Sequence, residues 1–422
     1  QIAHEQGLSV HVRYLGDLLH LTGEAKNAMR QCQGAGVDIR SFSFDENIDA
    51  DIFVDALLGI GLSGEVREPV SQAIQYINQY GQKILAIDVP SGIQSDTGMV
   101  KGSAVRANST ITFIGIKRGL VTGEAMDYVG ELVCHHLNLS AEIIAEVQPT
   151  AQMLKWEQPL RALQPRPRYA HKGNFGHALV MGGDHGMTGA LRLAALGALR
   201  SGAGLVTLAT RPEHAVLMNV FRPELMSYGV EQAEDLSALL ERVSVVVIGS
   251  GLGQSPWAQS LLTAVLSTDL PVIVDADALN LLAKNPQHRS NWILTPHPGE
   301  AARLLQTDVA TIQSDRFKAA NDIQKKFGGI SVLKGAGTII CCNPNELYVC
   351  TLGNPGMASG GMGDLLSGII AGLVTQALTL PQAAMAGVGL HAKAGDLASR
   401  DGERGMIATD LLPSIRKLIN RP

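Results

Sequence analysis

Aromatic residues are scarce, 4% of a 422-residue chain that carries 46 glycines. That balance is typical of α/β folds, whose glycines sit in strand-to-helix turns beside bound ligands, and it favours an enzyme over a scaffold. Long basic runs are absent and the formal net charge is −5. The counterion-release attraction that drives nucleic-acid binding therefore has no source, and nucleic acid is not an expected partner. No apolar run approaches the roughly 20 residues that cross a bilayer. The most apolar stretch, Leu365 to Leu378, is interrupted by Ser367 and Gln376, so no membrane span is expected. The five cysteines, Cys32, Cys134, Cys341, Cys342 and Cys350, are odd in number and lack CxxC spacing. Neither a disulfide framework nor a zinc site follows, and a reducing, cytoplasmic setting is expected. From Gln1 there is no charged and apolar leader of the secretory kind. The opening IAHEQGLSVHVRYL reads as a helix end followed by a strand, and the expectation is that the chain begins inside its first domain.

What is present is enough apolar material, 45% against 17% charged, for two folded domains. From Val10 to about Leu139, short β-branched runs alternate with helical periodicity: VHVRYL, DIFVDALLG, KILAIDVPSG and STITFIG. This predicts a parallel α/β layer. Prolines Pro149, Pro159, Pro165 and Pro167 cluster where the pattern loosens, which reads as an interdomain connection. The boundary is placed near residue 140, giving domains over 1–140 and 141–422. The second domain repeats the alternation with HALVMGG, LVTLAT, VSVVVIGSG, PVIVDADAL, NWILTPH and ISVLKGAGTIICC. Continuous apolar runs of this kind are parallel strands covered by helices on both faces, so a doubly wound sandwich is predicted, closed by helices over 364–376 and 381–399.

Ligands of open parallel sheets bind beyond the carboxyl ends of the strands. Five turns qualify: GDHGMTGA, SGLG, DADAL, TPHPGE, and KGAGT followed by GNPGMASGGMGD. Gly360, Gly361 and Gly363 precede an apolar helix and can turn backbone N–H groups toward a phosphate, helped by the helix dipole. Asp364 then sits in the first turn, where it can take a proton from a hydroxyl that attacks phosphorus; an ordinary N-cap is the other reading. Lys334 ends a strand and can meet phosphate or lie exposed. His297, stiffened between two prolines, can bond a substrate. Glu300 can reach magnesium through water or simply favour the helix dipole. Asp275 and Asp277 are paired carboxylates read as metal or sugar contacts, with simple turn capping as the other reading. His171, His177 and His185 are too unevenly spaced for a metal cluster, and His135 and His136 read as surface residues.

Taken together, TPHPGE, DADAL, GSGLG, KGAGT and NPGMASGGMGDLLSG closely resemble the C-terminal domain of NAD(P)H-hydrate repair enzymes, from about Lys172 to the end. The resemblance implies a ribokinase-like three-layer α/β/α domain preceded by a truncated Rossmann-like α/β domain. It implies dehydration of the S epimer of hydrated NADH or NADPH, coupled to hydrolysis of ADP or ATP with magnesium. Converting the hydroxyl to a phosphate ester makes a poor leaving group a good one. By resemblance, Lys334, Gly335, Ala336, Gly337, Thr338 and Gly363 line the nucleotide site, and Ala190, Gly253, His297 and Asp364 face the hydrated nicotinamide. VDALLGIGLSG, IDVPSGIQSDTG, FIGIKRGL and DYVGEL resemble the matching epimerase domain. There Asp55 and Ser91 match potassium positions and Asp88 a substrate position, while the GNNGGDG loop of that family is absent from this chain. The expectation is therefore an impaired epimerase half, and a homo-oligomer. Two further readings stay open: a small-molecule kinase that stops at the phosphate ester of a hydroxymethylpyrimidine, thiazole alcohol or sugar, and a nucleotide-binding module without turnover.

Overall fold

The structure is a computed structural model that describes residues 1–46 and 48–420. Two compact units divide the chain, Gln1–Leu120 with Glu124–Ile144, and Val121–Gly123 with Ala145–Pro422. In the first unit, strands β1 (His11–Tyr14) and β2 (Asp38–Ser41) pair in parallel, with helix α1 (Gly23–Gly34) between them in sequence. A second parallel sheet runs β3 (Phe53–Asp55), β4 (Ile84–Ile87), β5 (Ser109–Phe113) and β6 (Glu131–His135) in that order. Helix α2 (Val70–Tyr80) forms because Val70, Ala73, Ile74 and Ile77 recur at the spacing that makes one apolar stripe. That stripe packs on Ile84, Ala86 and Val105.

The second unit holds a ten-stranded sheet. Its members in chain order are β7 (Gln152–Met153), β8 (His177–Met181), β9 (Leu205–Thr210), β10 (Met226–Gly229), β11 (Val245–Ile248), β12 (Val272–Val274), β13 (Trp292–Leu294), β14 (Ile330–Leu333), β15 (Thr338–Asn343) and β16 (Glu346–Cys350). Their spatial order is β10-β9-β8-β11-β12-β13-β14-β15-β16-β7. Helices α3 (Thr188–Arg200), α4 (Pro212–Phe221), α5 (Pro256–Leu266), α6 (Ala276–Lys284), α7 (Pro298–Leu305), α8 (Arg316–Phe327), α9 (Met362–Val374) and α10 (Leu380–Ala398) flank it. Alternate strand residues Ala178, Val180, Val245, Val247 and Ile273 join one core with α3, α9 and α10. Their neighbours Leu179, Met181, Val246, Ile248 and Val272 point to the opposite face and are equally buried. Both faces are covered, which is why the strands read as unbroken apolar runs.

One expectation fails. ISVLKGAGTIICC is not one parallel strand: β14, β15 and β16 run antiparallel, with the KGAGT turn joining the first two. A tight turn can link only antiparallel neighbours, because a parallel return needs a crossover of a dozen or more residues. The sheet is therefore parallel from β10 to β14 and mixed beyond it.

Helices α3 and α9 meet backbone to backbone. A β-carbon on Gly368 would stand 1.8 Å from the Ala194 carbonyl oxygen, and one on Gly197 would stand 2.4 Å from that of Leu365. Gly368→Ala is expected to destabilise the protein by about 2–3 kcal/mol through overpacking. Urea unfolding measures this, and a change below about 0.5 kcal/mol would contradict the close approach.

Candidate active site

The chain leaves β8 toward β9 and β10, then returns to β11 on the other side of β8. The β8–β11 border is thus the topological switch point, and the crevice beyond it is the place where such sheets bind ligands. Two glycine turns form its floor. Gly182 and Gly183 follow β8; Gly249, Gly251 and Gly253 follow β11, all five at positive φ. Gly251 lies against α3, its absent β-carbon 3.4 Å from that of Ala190. Gly253 donates its N–H to Asp277 Oδ2 at 2.8 Å, and a β-carbon on it would meet Asp184 Oδ2 at 3.1 Å. Ala190 and Gly253 therefore border the same crevice.

Across the crevice, a buried ion pair organises the next wall. Lys334 Nζ, at the end of β14, donates to Asp275 Oδ1 at 2.7 Å and lies 3.9 Å from Glu300 Oε2. Asp275 also accepts Ser367 Oγ at 2.6 Å and caps α6 through the Ala276 N–H at 2.9 Å. Burial alone would push the Asp275 carboxyl up, yet Lys334 and the Ser367 and Thr295 hydroxyls hold it below its usual range. Burial would lower the Lys334 ammonium, but the Asp275 and Glu300 carboxylates outweigh it and keep it charged. Removing one partner of such a pair costs about 3–5 kcal/mol. Sequence reasoning left Asp275 between function and capping. The structure shows it capping a helix and neutralising a buried lysine at once.

His297 caps α7, its ring nitrogen Nδ1 accepting from Gly299 N–H at 2.9 Å, while Glu300 Oε2 accepts the His297 N–H at 2.8 Å. The His297 imidazole, exposed at the crevice and lowered by burial of its inner edge and by Lys334 and Arg303, is neutral. Glu300 is 5% exposed, and burial pushes its carboxyl up to about 7 despite Lys334.

The Gly353–Asp364 segment leads into α9 beside Lys334. Its start is tied down by Asp396, whose Oδ1 accepts from Gly353 N–H at 3.1 Å and Asn354 Nδ2 at 3.2 Å. Gly361, at φ +88, is the N-cap of α9. Gly363 faces Lys334: a β-carbon there would stand 3.1 Å from Nζ. Asp364 is in the first turn but accepts no capping hydrogen bond among the described residues. Burial, then Asp275, raise its pKa above the ordinary carboxyl value, with Lys334 partly offsetting them. Behind Lys334 and Met362, the buried imidazole of His391 is pushed down to about 4 by burial and stays neutral.

The KGAGT turn is held from below. Thr338 Oγ1 donates to the Gly335 carbonyl at 3.0 Å, Gly335 is at φ +140, and Gly335 and Ala336 are exposed. Arg316, 1% exposed, directs Nη2 at the carbonyls of Leu333, Lys334 and Gly337 at 3.3 to 3.5 Å. Burial lowers its pKa to about 10. Nothing in the sequence marked Arg316, because apart from Gln313 its partners, the Thr122 hydroxyl and the three main-chain oxygens, lie on distant segments of the chain. His171, His177 and His185 cap a turn, bond Thr207 and bond Asp184 respectively, so they do not converge.

In the first unit, Asp55 ends β3 and accepts Ser91 Oγ at 2.6 Å and Ser91 N–H at 2.7 Å. Burial raises the Asp55 pKa, and no basic side chain pairs with it among the described residues. Asp88 follows β4 at φ +68, a conformation that a non-glycine residue adopts only under local constraint. Its Oδ1 accepts from Lys117 Nζ, Thr112 Oγ1 at 3.0 Å and Phe113 N–H at 3.1 Å. A cavity of about 500 Å³ lies along Leu57–Arg67, directly after β3.

A doubly wound sheet with glycine-rich turns, a helix N-terminus and a buried lysine–carboxylate pair at its switch point defines a ribokinase-like α/β enzyme. The profile of the NAD(P)H-hydrate dehydratase family matches residues 178–417, and that of the YjeF-related protein N-terminus matches residues 1–119. The bifunctional NAD(P)H-hydrate repair enzyme Nnr of Coxiella burnetii is 52% identical over 421 residues, covering 100% of this chain and 86% of the relative. Its Escherichia coli counterpart is 44% identical, covering 95% and 78%. Among solved structures, the ADP/ATP-dependent NAD(P)H-hydrate dehydratase of Bacillus subtilis, co-crystallised with ATP/Mg2+, is 31% identical with a TM-score of 0.58, covering 64% of this chain and 99% of that one. A ribokinase-like superfamily protein of Enterococcus faecalis is 28% identical with a TM-score of 0.59, covering 65% and 96%. The chain belongs to the family of bifunctional NAD(P)H-hydrate repair enzymes.

The raised Glu300 pKa has a consequence for stability. A carboxyl at about 7 in the fold and near 4.5 when unfolded binds its proton more tightly when folded. Its contribution is present below about pH 4.5 and is lost as pH rises through 7, roughly 3 kcal/mol at most. Glu300→Gln, which keeps an acceptor for the His297 N–H, is expected to flatten that part of the pH dependence in urea unfolding. Parallel curves for the two proteins would refute the assignment.

Proposed function

We propose that residues 141–422 dehydrate (S)-NAD(P)H-hydrate to NAD(P)H with hydrolysis of ADP or ATP, and that residues 1–140 form the epimerase domain acting on the R and S hydrates. The observation that carries the reading is the placement of Asp364. It is a half-buried carboxylate without a capping role, in the first turn of α9, beside the Lys334–Asp275 pair and the switch-point crevice.

In this reading Asp364 accepts the proton of the C6 hydroxyl as that oxygen attacks the terminal phosphorus and breaks its bond to the bridging oxygen, so that AMP leaves from ADP or ADP from ATP. The amides of Gly360, Gly361 and Gly363, with the α9 dipole behind them, hold the anionic oxygens. The C6–O bond then breaks, orthophosphate leaves, and loss of the neighbouring ring proton restores the double bond. Because the Lys334 ammonium is committed to Asp275, it acts by offsetting the carboxylates of this wall, and the KGAGT turn, with Gly335 and Ala336 exposed and Gly337 and Thr338 beneath them, meets the nucleotide. Ala190, Gly253 and the neutral His297 contact the hydrated ring.

Magnesium fits the hard oxygen donors of the crevice, where Glu300, both of whose oxygens face His297, would reach it through water. When bound it neutralises phosphate charge. Potassium fits Asp55 and Ser91, since a buried carboxylate without a basic partner is relieved by a monovalent cation; Asp88 then serves the substrate. The cytoplasmic setting is supported by five free cysteines. A homo-oligomer is supported by the exposed Val216, Leu217 and Val220 of α4. No helix of the described residues is long and apolar enough to cross a membrane.

Asp364→Asn is expected to lower turnover by at least about a thousand-fold while nucleotide affinity stays within a few-fold. The assay follows recovery of reduced-cofactor absorbance from hydrated NADH with magnesium and either nucleotide. Free orthophosphate with restored dinucleotide supports the dehydratase. A stable phosphorylated alcohol would instead favour a kinase, and binding without hydrolysis a non-catalytic module.

A further inference from the structure

The KGAGT turn is held by more than Arg316. Residues Val121–Gly123 belong to the second unit, although Leu120 and Glu124 on either side of them belong to the first. Within the second unit they lie along this turn. Thr122 is 0% exposed, and its hydroxyl accepts from Arg316 Nε at 3.0 Å while donating to the Gly337 carbonyl at 3.0 Å. The Ala336 carbonyl accepts from the Gly123 N–H at 3.0 Å and lies 3.3 Å from the same hydroxyl. Gly337, at φ +63, packs so closely that a β-carbon on it would stand 2.6 Å from the Thr122 α-carbon. A β-carbon on Gly335 would likewise meet Arg316 Nη2 at 2.9 Å. Two successive carbonyls of the turn are thus drawn to one buried hydroxyl and its neighbouring N–H, and that hydroxyl is oriented by the guanidinium that grips the rest of the turn.

We infer that Thr122 is a positioning residue for the nucleotide: its hydroxyl, between Arg316 and the carbonyls of Ala336 and Gly337, holds the KGAGT turn in its binding shape before the nucleotide arrives. The inference rests on the reading of that turn as part of the nucleotide site. The carbonyl and N–H of a trans peptide point in opposite directions across a rigid plane. Fixing the Ala336 carbonyl toward Thr122 and Gly123 therefore turns the Gly337 N–H away from them, and that N–H donates to no group among the described residues. Gly335 and Gly337 both sit at positive φ, in a turn whose free chain has many conformations to lose. A turn ordered in advance leaves less for the ligand to order, which strengthens binding without a new contact. Ala336 is exposed while Thr122 is buried, so the action of Thr122 passes through the turn.

The test is steady-state kinetics on the full chain with hydrated NADH, magnesium and ADP or ATP. Thr122→Val removes the hydroxyl and keeps the shape of the side chain, and thermal unfolding checks that it folds. Loss of a buried hydrogen bond to a charged group is expected to raise the nucleotide KM about ten-fold, while kcat and the KM for hydrated NADH stay within about two-fold. Thr122→Ser, which keeps the hydroxyl, is expected to return the nucleotide KM to within about two-fold of the parent value. If Thr122→Val does not fold, Thr122→Cys, whose thiol bonds only weakly, carries the same comparison. An unmoved nucleotide KM in Thr122→Val, a fall in kcat with both KM values raised together, or a Thr122→Ser protein as impaired as Thr122→Val overturns the inference. Ala336→Glu, an exposed change that sets a negative charge on the turn, separates the inference from its premise. A nucleotide KM raised in Ala336→Glu but unmoved in Thr122→Val removes only the role of Thr122, whereas a nucleotide KM unmoved in Ala336→Glu removes the reading of the turn and the inference with it.

Discussion

One buried charge governs the second unit's crevice. The Lys334 ammonium is taken out of water at the end of β14, and such a group is tolerable only if carboxylates and hydrogen bonds replace the solvent it loses. Asp275 supplies the charge, and Glu300 stands near enough to add to it. Ser367 of α9 then satisfies the second oxygen of Asp275. Four elements, β14, α6, α7 and α9, are thereby referred to a single nitrogen atom. The first turn of α9, with Gly363 and Asp364, is placed by that arrangement as much as by its own sequence.

The remaining carboxyls of the crevice feel the same centre to different degrees, and their titration spreads accordingly. Asp275 is held down, while Glu300 and Asp364 are pushed up by burial. Groups of one chemical type with separated pKa values are what a site needs to keep one carboxylate structural and another available for proton transfer. The neutral His297 and His391 belong to the same pattern, since burial next to a lysine leaves an imidazole uncharged.

Much of this was legible beforehand. HALVMGG, LVTLAT and VSVVVIG announce β8, β9 and β11 because both faces of those strands are covered, so apolarity is continuous. Strands such as β10, with MSYG, and β16, with ELYVC, were missed because they are short and their composition is mixed. KGAGT was legible as a turn after β14, but the reversal of β15 was missed because an apolar run does not carry the direction of its strand. At the site, glycine turns before helices and after strands located Asp364, Lys334, His297 and Glu300. The Asp275–Lys334 pair, 59 residues apart, and the grip of Arg316 on three carbonyls leave no local trace. Those contacts depend on which strands become neighbours, and topology is not written in any single segment.

The glycine-mediated contact between α3 and α9 bears on how the site ages under heat. Ala190 rides on the first of these helices and Asp364 on the second, and their backbones touch at Ala194 and Gly368 with no side chain between them. Two helices joined in that way cannot slide or pivot independently, so a partly loosened protein that still holds its fold but has spread the edge of its crevice is not an accessible species. Thermal inactivation of the second unit is therefore tied to cooperative loss of the whole sandwich.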